Sequence, residues 1–190
     1  MIYFKLIVLM FLPLQPPSGL PAADRPAPAQ AHFIGEKFGG GIVFYIYENG
    51  KHGLIAAAAD QNAGIVWYNG MTRLAGSDGD GLGAGAKNTA IILSRLLPDD
   101  PKGMFAARAC SDYRFKSGAK EYSDWFLPSK AELDLLYQQK KKVGGFANTN
   151  YWSSTEYKFN SVWVQYFGNG GQHVSNSEAY ANAVRAIRAF

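Results

Sequence analysis

Apolar and polar positions divide the chain into four stretches with different periods. The first is continuous: residues 6–14 are all apolar, preceded by Lys5 as the only charge and interrupted by Pro13. Such a run is far short of the roughly 20 apolar residues a spanning helix needs. Pro16, Pro17 and Gly19 then break any helix, and Pro21-Ala22-Ala23 offers small residues, so residues 1–23 are predicted to be a secretory signal peptide. Residues 24–33 follow as a Pro/Ala linker, a spacer ahead of a domain covering residues 34–190. The second stretch is strand-like. Ile42-Val43-Phe44-Tyr45-Ile46-Tyr47 is β-branched and aromatic, with Gly39-Gly40-Gly41 before it and Gly53-Leu54-Ile55-Ala56 a short turn beyond. Asn49-Gly50 between the two runs supplies the positive φ angles of a type I′ turn and predicts a β-hairpin.

The third stretch has helical spacing. Ala90, Ile91, Leu93 and Leu97 give an apolar face to residues 86–97, stopped by Pro98, and a shorter helix is expected over residues 104–113. A third helix begins after Ser129, where Ser-Lys-Ala-Glu makes a capping box with Glu132. Leu133, Leu136 and Tyr137 share its buried face, Lys140-Lys141-Lys142 suit its negative end, and Gly144 closes it. The fourth stretch returns to strands at Tyr151-Trp152, residues 162–167 and residues 184–190, with Gly168-Asn169-Gly170-Gly171 as a further hairpin turn. Strands at both ends with about three helices between them predict an α+β domain.

Composition agrees with one ordered domain. Hydrophobic residues make up 47% and charged residues 18%, which excludes a disordered chain, and 21 glycines exceed average usage enough to argue against a plain helical bundle. The formal charge is +4, falling to +3 once Lys5 is removed with the signal peptide. Residues 102–142 alone hold nine Lys or Arg against five acids, leaving −1 for the rest of the mature chain. A local excess of that size is too small for a nucleic-acid footprint. It suits a sulfated or carboxylated polysaccharide, with Arg114, Lys116, Lys120, Lys140, Lys141 and Lys142 as candidate ligand-binding residues.

Tests for catalysis come up empty. Gly81-x-Gly83-x-x-Ala86 superficially matches a dinucleotide fingerprint, but no buried strand precedes it and Pro98 follows the helix. Asp78 and Asp80 could meet a calcium ion, although the spaced oxygens and closing Glu of an EF-hand loop are missing. His32, His52 and His173 are too scattered for a metal motif. Cys110 lies among alanines as a small hydrophobe, and Ser153-Ser154 has no hydrolase elbow. With one cysteine there is no intrachain disulfide. No metal and no cofactor are expected. Trp67, Trp125, Trp152 and Trp163 are candidate sugar platforms, with burial in the core the more frequent role of such rings.

Several of these segments together resemble a known family. Gly40-Gly-Ile-Val-Phe-Tyr45, residues 79–89, Tyr122-Ser-Asp-Trp-Phe-Leu-Pro-Ser-Lys-Ala-Glu-Leu133, Tyr151-Trp-Ser-Ser-Thr-Glu156, Trp163 with Phe167-Gly168, and Val184-Arg-Ala-Ile-Arg-Ala-Phe190 are similar to the C-terminal domain of Legionella collagen-like adhesins, the Lcl C-terminal domain. The resemblance implies a C-type-lectin-like fold related to sulfatase-modifying factors, glycosaminoglycan binding and trimer formation. The sequence departs from the adhesin in having no collagen-like stalk, so a homo-oligomer would lack that means of preorganisation. It also has no Glu-Pro-Asn or Trp-Asn-Asp signature of calcium-dependent lectins, and one cysteine cannot supply the pair of formylglycine-generating relatives.

The combined expectation is a secreted or periplasmic, non-enzymatic module binding glycan or a glycosaminoglycan-like polyanion. It should bind no nucleic acid and insert in no membrane after signal cleavage. A protein-interaction or envelope structural domain is the alternative. Asp124, Trp125, Pro128, Ser129, Glu132, Trp152, Glu156, Arg185 and Arg188 are assigned structural roles. Trp125 and Leu127 should be buried beneath the helix that starts at Ser129. Residues 184–190 should lie beside the strand of residues 41–47, with Arg185 or Arg188 bonded to Asp124, Glu132 or Glu156, because a buried guanidinium needs a paired acceptor.

Overall fold

A computed structural model describes residues 31–68, 70, 74–176 and 180–190. The predicted signal peptide, and all of the predicted linker except residues 31–33, lie outside the described residues. The remainder is a mixed α+β structure with antiparallel strands predominating. No described helix is long and apolar enough to cross a membrane.

Strands β1 (Lys37–Phe38), β2 (Gly41–Tyr47) and β3 (His52–Ala56) open the domain, and β4 (Asn62–Ile65) follows. The apolar run in β2 is explained by its surroundings: Val43 packs into one hydrophobic cluster and Phe44 into the other, so both faces of the strand are covered. The β2–β3 connection differs from the predicted two-residue turn. Tyr47 pairs with His52, and Glu48, Asn49 and Gly50 are all left-handed, giving a four-residue loop. Gly50 is needed there, since a Cβ would meet the His32 carbonyl oxygen at 2.6 Å while its own carbonyl accepts from His32 N–H.

Helix α1 (Ala84–Leu96) and helix α2 (Ala106–Ser111) follow, then a small hairpin of β5 (Phe115–Ser117) and β6 (Lys120–Tyr122). The helix predicted after Ser129 is present with both halves of its capping box, but as two pieces. Gln139 leaves the helical region at φ −104°, ψ 12°, separating α3 (Lys130–Gln138) from α4 (Lys140–Val143), and α4 ends at left-handed Gly144. The strands β7 (Asn150–Lys158), β8 (Ser161–Tyr166) and β9 (Gln172–Asn176) form a meander, with the β8–β9 turn at the predicted glycines.

The end of the chain departs from expectation. Residues 184–190 are not one strand: β10 (Asn182–Val184) joins the five-stranded sheet β4-β10-β7-β8-β9, and β11 (Ile187–Ala189) joins the four-stranded sheet β1-β2-β3-β11. β11 therefore pairs with β3 and not with β2, whose other edge is taken by β1. Arg185 and Ala186 make the crossing between the sheets. Trp67, Trp125 and Trp152 are all buried, so three of the four candidate sugar platforms belong to the core, and Leu127 is fully buried as expected.

Candidate functional site

Gly39 at φ 57° and Gly40 at φ 90° link β1 to Gly41, the first residue of β2. Their lack of side chains admits the β5–β6 hairpin: a Cβ on Gly40 would stand 2.8 Å from the Phe115 ring. In the hairpin Phe115 pairs with Tyr122 and Ser117 with Lys120, so these four side chains share one face, while Lys116 and its partner Glu121 point the other way. Between turn and hairpin lies an open groove of about 360 Å³, lined by Lys37, Phe38, Ile42, Phe115, Ser117 and Tyr122 together with the glycines and Ala58.

Cations gather on one ring of this groove. Lys120 Nζ stands 4.7 Å and Arg188 Cζ 4.8 Å from the Tyr122 centroid. Arg188 is held in place by a two-pronged pair with Asp124, at 2.7 Å through Nε and 2.8 Å through Nη2, and its Nη1 donates to Gly39 O at 3.3 Å. One guanidinium thus ties the glycine turn, β11 and the segment after β6 together. Its hydrogen bond holds the Asp124 carboxyl below the usual carboxylate range, against the opposing effect of partial burial. Beneath it, Trp125 donates from Nε1 to Tyr122 O at 3.0 Å.

The six predicted ligand residues fall on two separate surfaces. Arg114 turns its Nη1 to the carbonyls of Ser111 and Tyr113, and Lys116 pairs with Glu121 at 3.2 Å. Lys120 stands over the Tyr122 ring, beside the groove lining. Lys140 donates to Phe167 O at 2.5 Å with its ammonium over Tyr137, whereas Lys141 and Lys142 are exposed on α4 beside a shallow hollow that Tyr137, Gln138 and Gln139 help to line. Sequence reasoning missed Lys37, Phe38, Phe115, Ser117 and Tyr122. The triple glycine before a strand was the available signal, since it marks a close approach of another element.

The remaining motif residues build the frame. Glu156 accepts from three successive backbone N–H groups, those of Ala75, Gly76 and Ser77, at 2.7–2.9 Å. Glu132 accepts from Ser129 N–H at 2.8 Å and Gly83 N–H at 2.7 Å, and burial raises its pKa despite these donors. Between them the two carboxylates brace the glycine-rich loop that leads into α1, and the Gly83 N–H that a nucleotide phosphate would need is occupied. Pro128 O accepts from Ser154 N–H, and Trp152 Nε1 donates to Ile65 O. Arg188 makes the pairing expected of one of the two arginines, with Asp124, while Arg185 is completely buried and bonds Asp60, an acid outside the three named. Cys110 is buried, and desolvation pushes its thiol far above the ordinary range. Among the described residues, no three His, Cys, Asp or Glu side chains gather where they could hold a metal ion.

The profile of the Lcl C-terminal domain family matches residues 56–188, from the end of β3 into β11. The chain belongs to that family. A comparison with curated proteins finds no match. The matched span of this Lcl C-terminal domain, an adhesin-associated module, includes the β5–β6 wall of the groove, Asp124, α4 and Arg188. Lys37, Phe38 and the glycine turn, which form the other wall, lie ahead of it.

Proposed function

We propose that this Lcl C-terminal domain is an exported, non-enzymatic module, secreted or periplasmic, that binds polyanionic glycan. The observation that carries the reading is the groove itself. Phe38, Phe115 and Tyr122 offer aromatic surface to the flat faces of sugar rings, while Lys37 lines the groove and Lys120 shares the face of Phe115 and Tyr122, where they can meet sulfate or carboxylate groups. Lys141 and Lys142 extend the same chemistry on α4. Export is supported by the charge and apolar pattern of residues 1–23. A C-type-lectin-like architecture is part of this reading, supported by β1, β2 and β11 meeting in one sheet.

Retention on immobilised heparin at graded salt tests the proposal. Exposed charge pairs are screened, so retention should fall steeply as salt rises. The double variant Lys37→Gln/Lys120→Gln should elute at clearly lower salt than the parent, and Phe115→Ala should weaken retention without altering its salt slope. Retention equal to the parent in both variants would remove the groove as the binding surface.

A further inference from the structure

The segment just ahead of β1 is tied back onto the domain. His32 N–H donates to Gly50 O at 3.0 Å and Gly35 N–H to Val43 O at 2.8 Å. These bonds seat the His32 imidazole between a carboxylate and two rings. Its Nδ1 stands 2.9 Å from Glu36 Oε2, and its ring lies against that of Phe38, 3.8 Å between centroids with 33° between the planes. Phe190 completes the cluster edge-on, 4.9 Å from His32 and 5.4 Å from Phe38. Phe38 is also a wall of the groove. The side-chain type that changes charge between mildly acidic and neutral conditions therefore touches an aromatic residue of the candidate binding surface.

We infer that His32 is a pH-sensitive latch on the groove, which tightens polyanion binding under mildly acidic conditions. The inference deepens the polyanion reading and rests on it. When His32 takes up a proton, its contact with Glu36 becomes an ion pair and its ring becomes a cation on the face of Phe38. Both changes hold Phe38 more firmly in the wall, and one positive charge is added beside it. The neutral imidazole keeps a hydrogen bond to Glu36 but has no cation to offer the ring. The other charged or titratable groups on the elements packed around His32 are Lys37 on β1, Glu48 and Lys51 in the β2–β3 loop, His52 on β3 and Arg188 on β11. Arg188 is engaged with Asp124, and Glu48 lies 3.6 Å from His52, whereas the acid at ion-pair distance from His32 is Glu36.

Calorimetric titration of the protein with a heparin-derived tetrasaccharide, at about pH 5.5 and about pH 8 on either side of the ordinary histidine range, provides the test. The parent should bind about two- to fivefold tighter at the lower pH, the gain expected of one cation on a ring. His32→Gln, which can still bond Glu36, should bind equally at both, while His52→Gln and His173→Gln keep the parental ratio. NMR needs no variant: the Phe38 ring signals should follow the His32 titration, and bound tetrasaccharide should raise its midpoint, because coupling between proton and ligand is reciprocal. Equal affinity of the parent at the two pH values overturns the latch alone, as does a parental ratio in His32→Gln or Phe38 signals that ignore the His32 titration. Binding at neither pH overturns the groove reading and the latch with it.

Discussion

Arg185 and Arg188 are three residues apart and do opposite work. Arg185 sits at the crossing between the sheets with no exposed surface, its Nε 2.7 Å from Asp60 and its other nitrogens on the carbonyls of Ala57, Gly144 and Gly145. Asp60 also accepts from the Tyr151 hydroxyl at 2.8 Å, and burial pushes that phenol up to about 12. The Phe146 ring stacks 4.0 Å from the guanidinium. Arg188 keeps only 12% of its side chain exposed, but its partner Asp124 is more than half exposed, and what it organises is the rim of a groove. The same planar fork closes the interior in one place and shapes a binding surface in the other. The exposure of the carboxylate partner, 18% for Asp60 and 57% for Asp124, separates the two uses where residue type and spacing do not.

Substitution should widen that contrast. Arg185→Ala leaves Asp60 and three carbonyls without their donor, and should cost about 3 to 5 kcal/mol in denaturant unfolding. Arg185→Lys should recover only part of this, because an ammonium cannot reach the same acceptors in one plane. Equal stability of the Lys variant and the parent would show that the fork is dispensable. Next in size is Arg188→Ala, which removes a pair that is open to solvent on its Asp124 side and should cost less than Arg185→Ala, about 1 to 2 kcal/mol. Its larger effect should appear as weaker heparin retention, since the glycine turn loses its tie to Asp124. A variant that loses stability but keeps parental retention would move Arg188 to the structural side of the comparison. Ser129→Ala is expected to cost about 1 kcal/mol through the lost cap of α3.

The capping box of Ser129 and Glu132 and the burial of Trp125 were legible because each depends on residues close in sequence. Asp124 was among the acids expected to meet an arginine, and it meets Arg188. Asp60 was not, because its contact with Arg185 spans 125 positions and exists only where the chain changes sheets. An unbroken reading of residues 184–190 as one strand hid that change, since both halves are β-branched enough to qualify. β4, β5 and β6 escaped notice for another reason: at three or four residues, with glycine or lysine among them, they have no alternation to detect. The groove inherits the same obscurity, being made from β5, β6 and a β1 of two residues.

Two smaller effects would refine the picture. Acidification should act on Asp124 and Glu132 with opposite signs. Asp124, with its pKa lowered by Arg188, contributes stability that is present above its unfolded value and lost as pH falls through its folded value. Glu132, with its pKa raised by burial, binds its proton more readily when folded, so its contribution improves as pH falls through that raised value. Comparing pH-dependent unfolding of Asp124→Asn and Glu132→Gln with the parent should show slopes changed in opposite directions. The smallest stability change is expected for Lys141→Gln/Lys142→Gln, within about 0.5 kcal/mol, with heparin retention reduced. Unchanged retention would confine polyanion recognition to the groove.

The placement of β10 and β11 also determines the order in which the domain can assemble. β10 lies between β4 and β7, and β11 completes the sheet of β1 to β3, yet both come after every other strand in the chain. A growing polypeptide that has not reached residue 182 can form hairpins but has neither sheet complete and no Arg185 to join them. Closing such distant pairings is slow compared with local structure. Closure of the domain therefore waits for residues 182–190, because β10 and β11 supply the strands that both sheets lack until then.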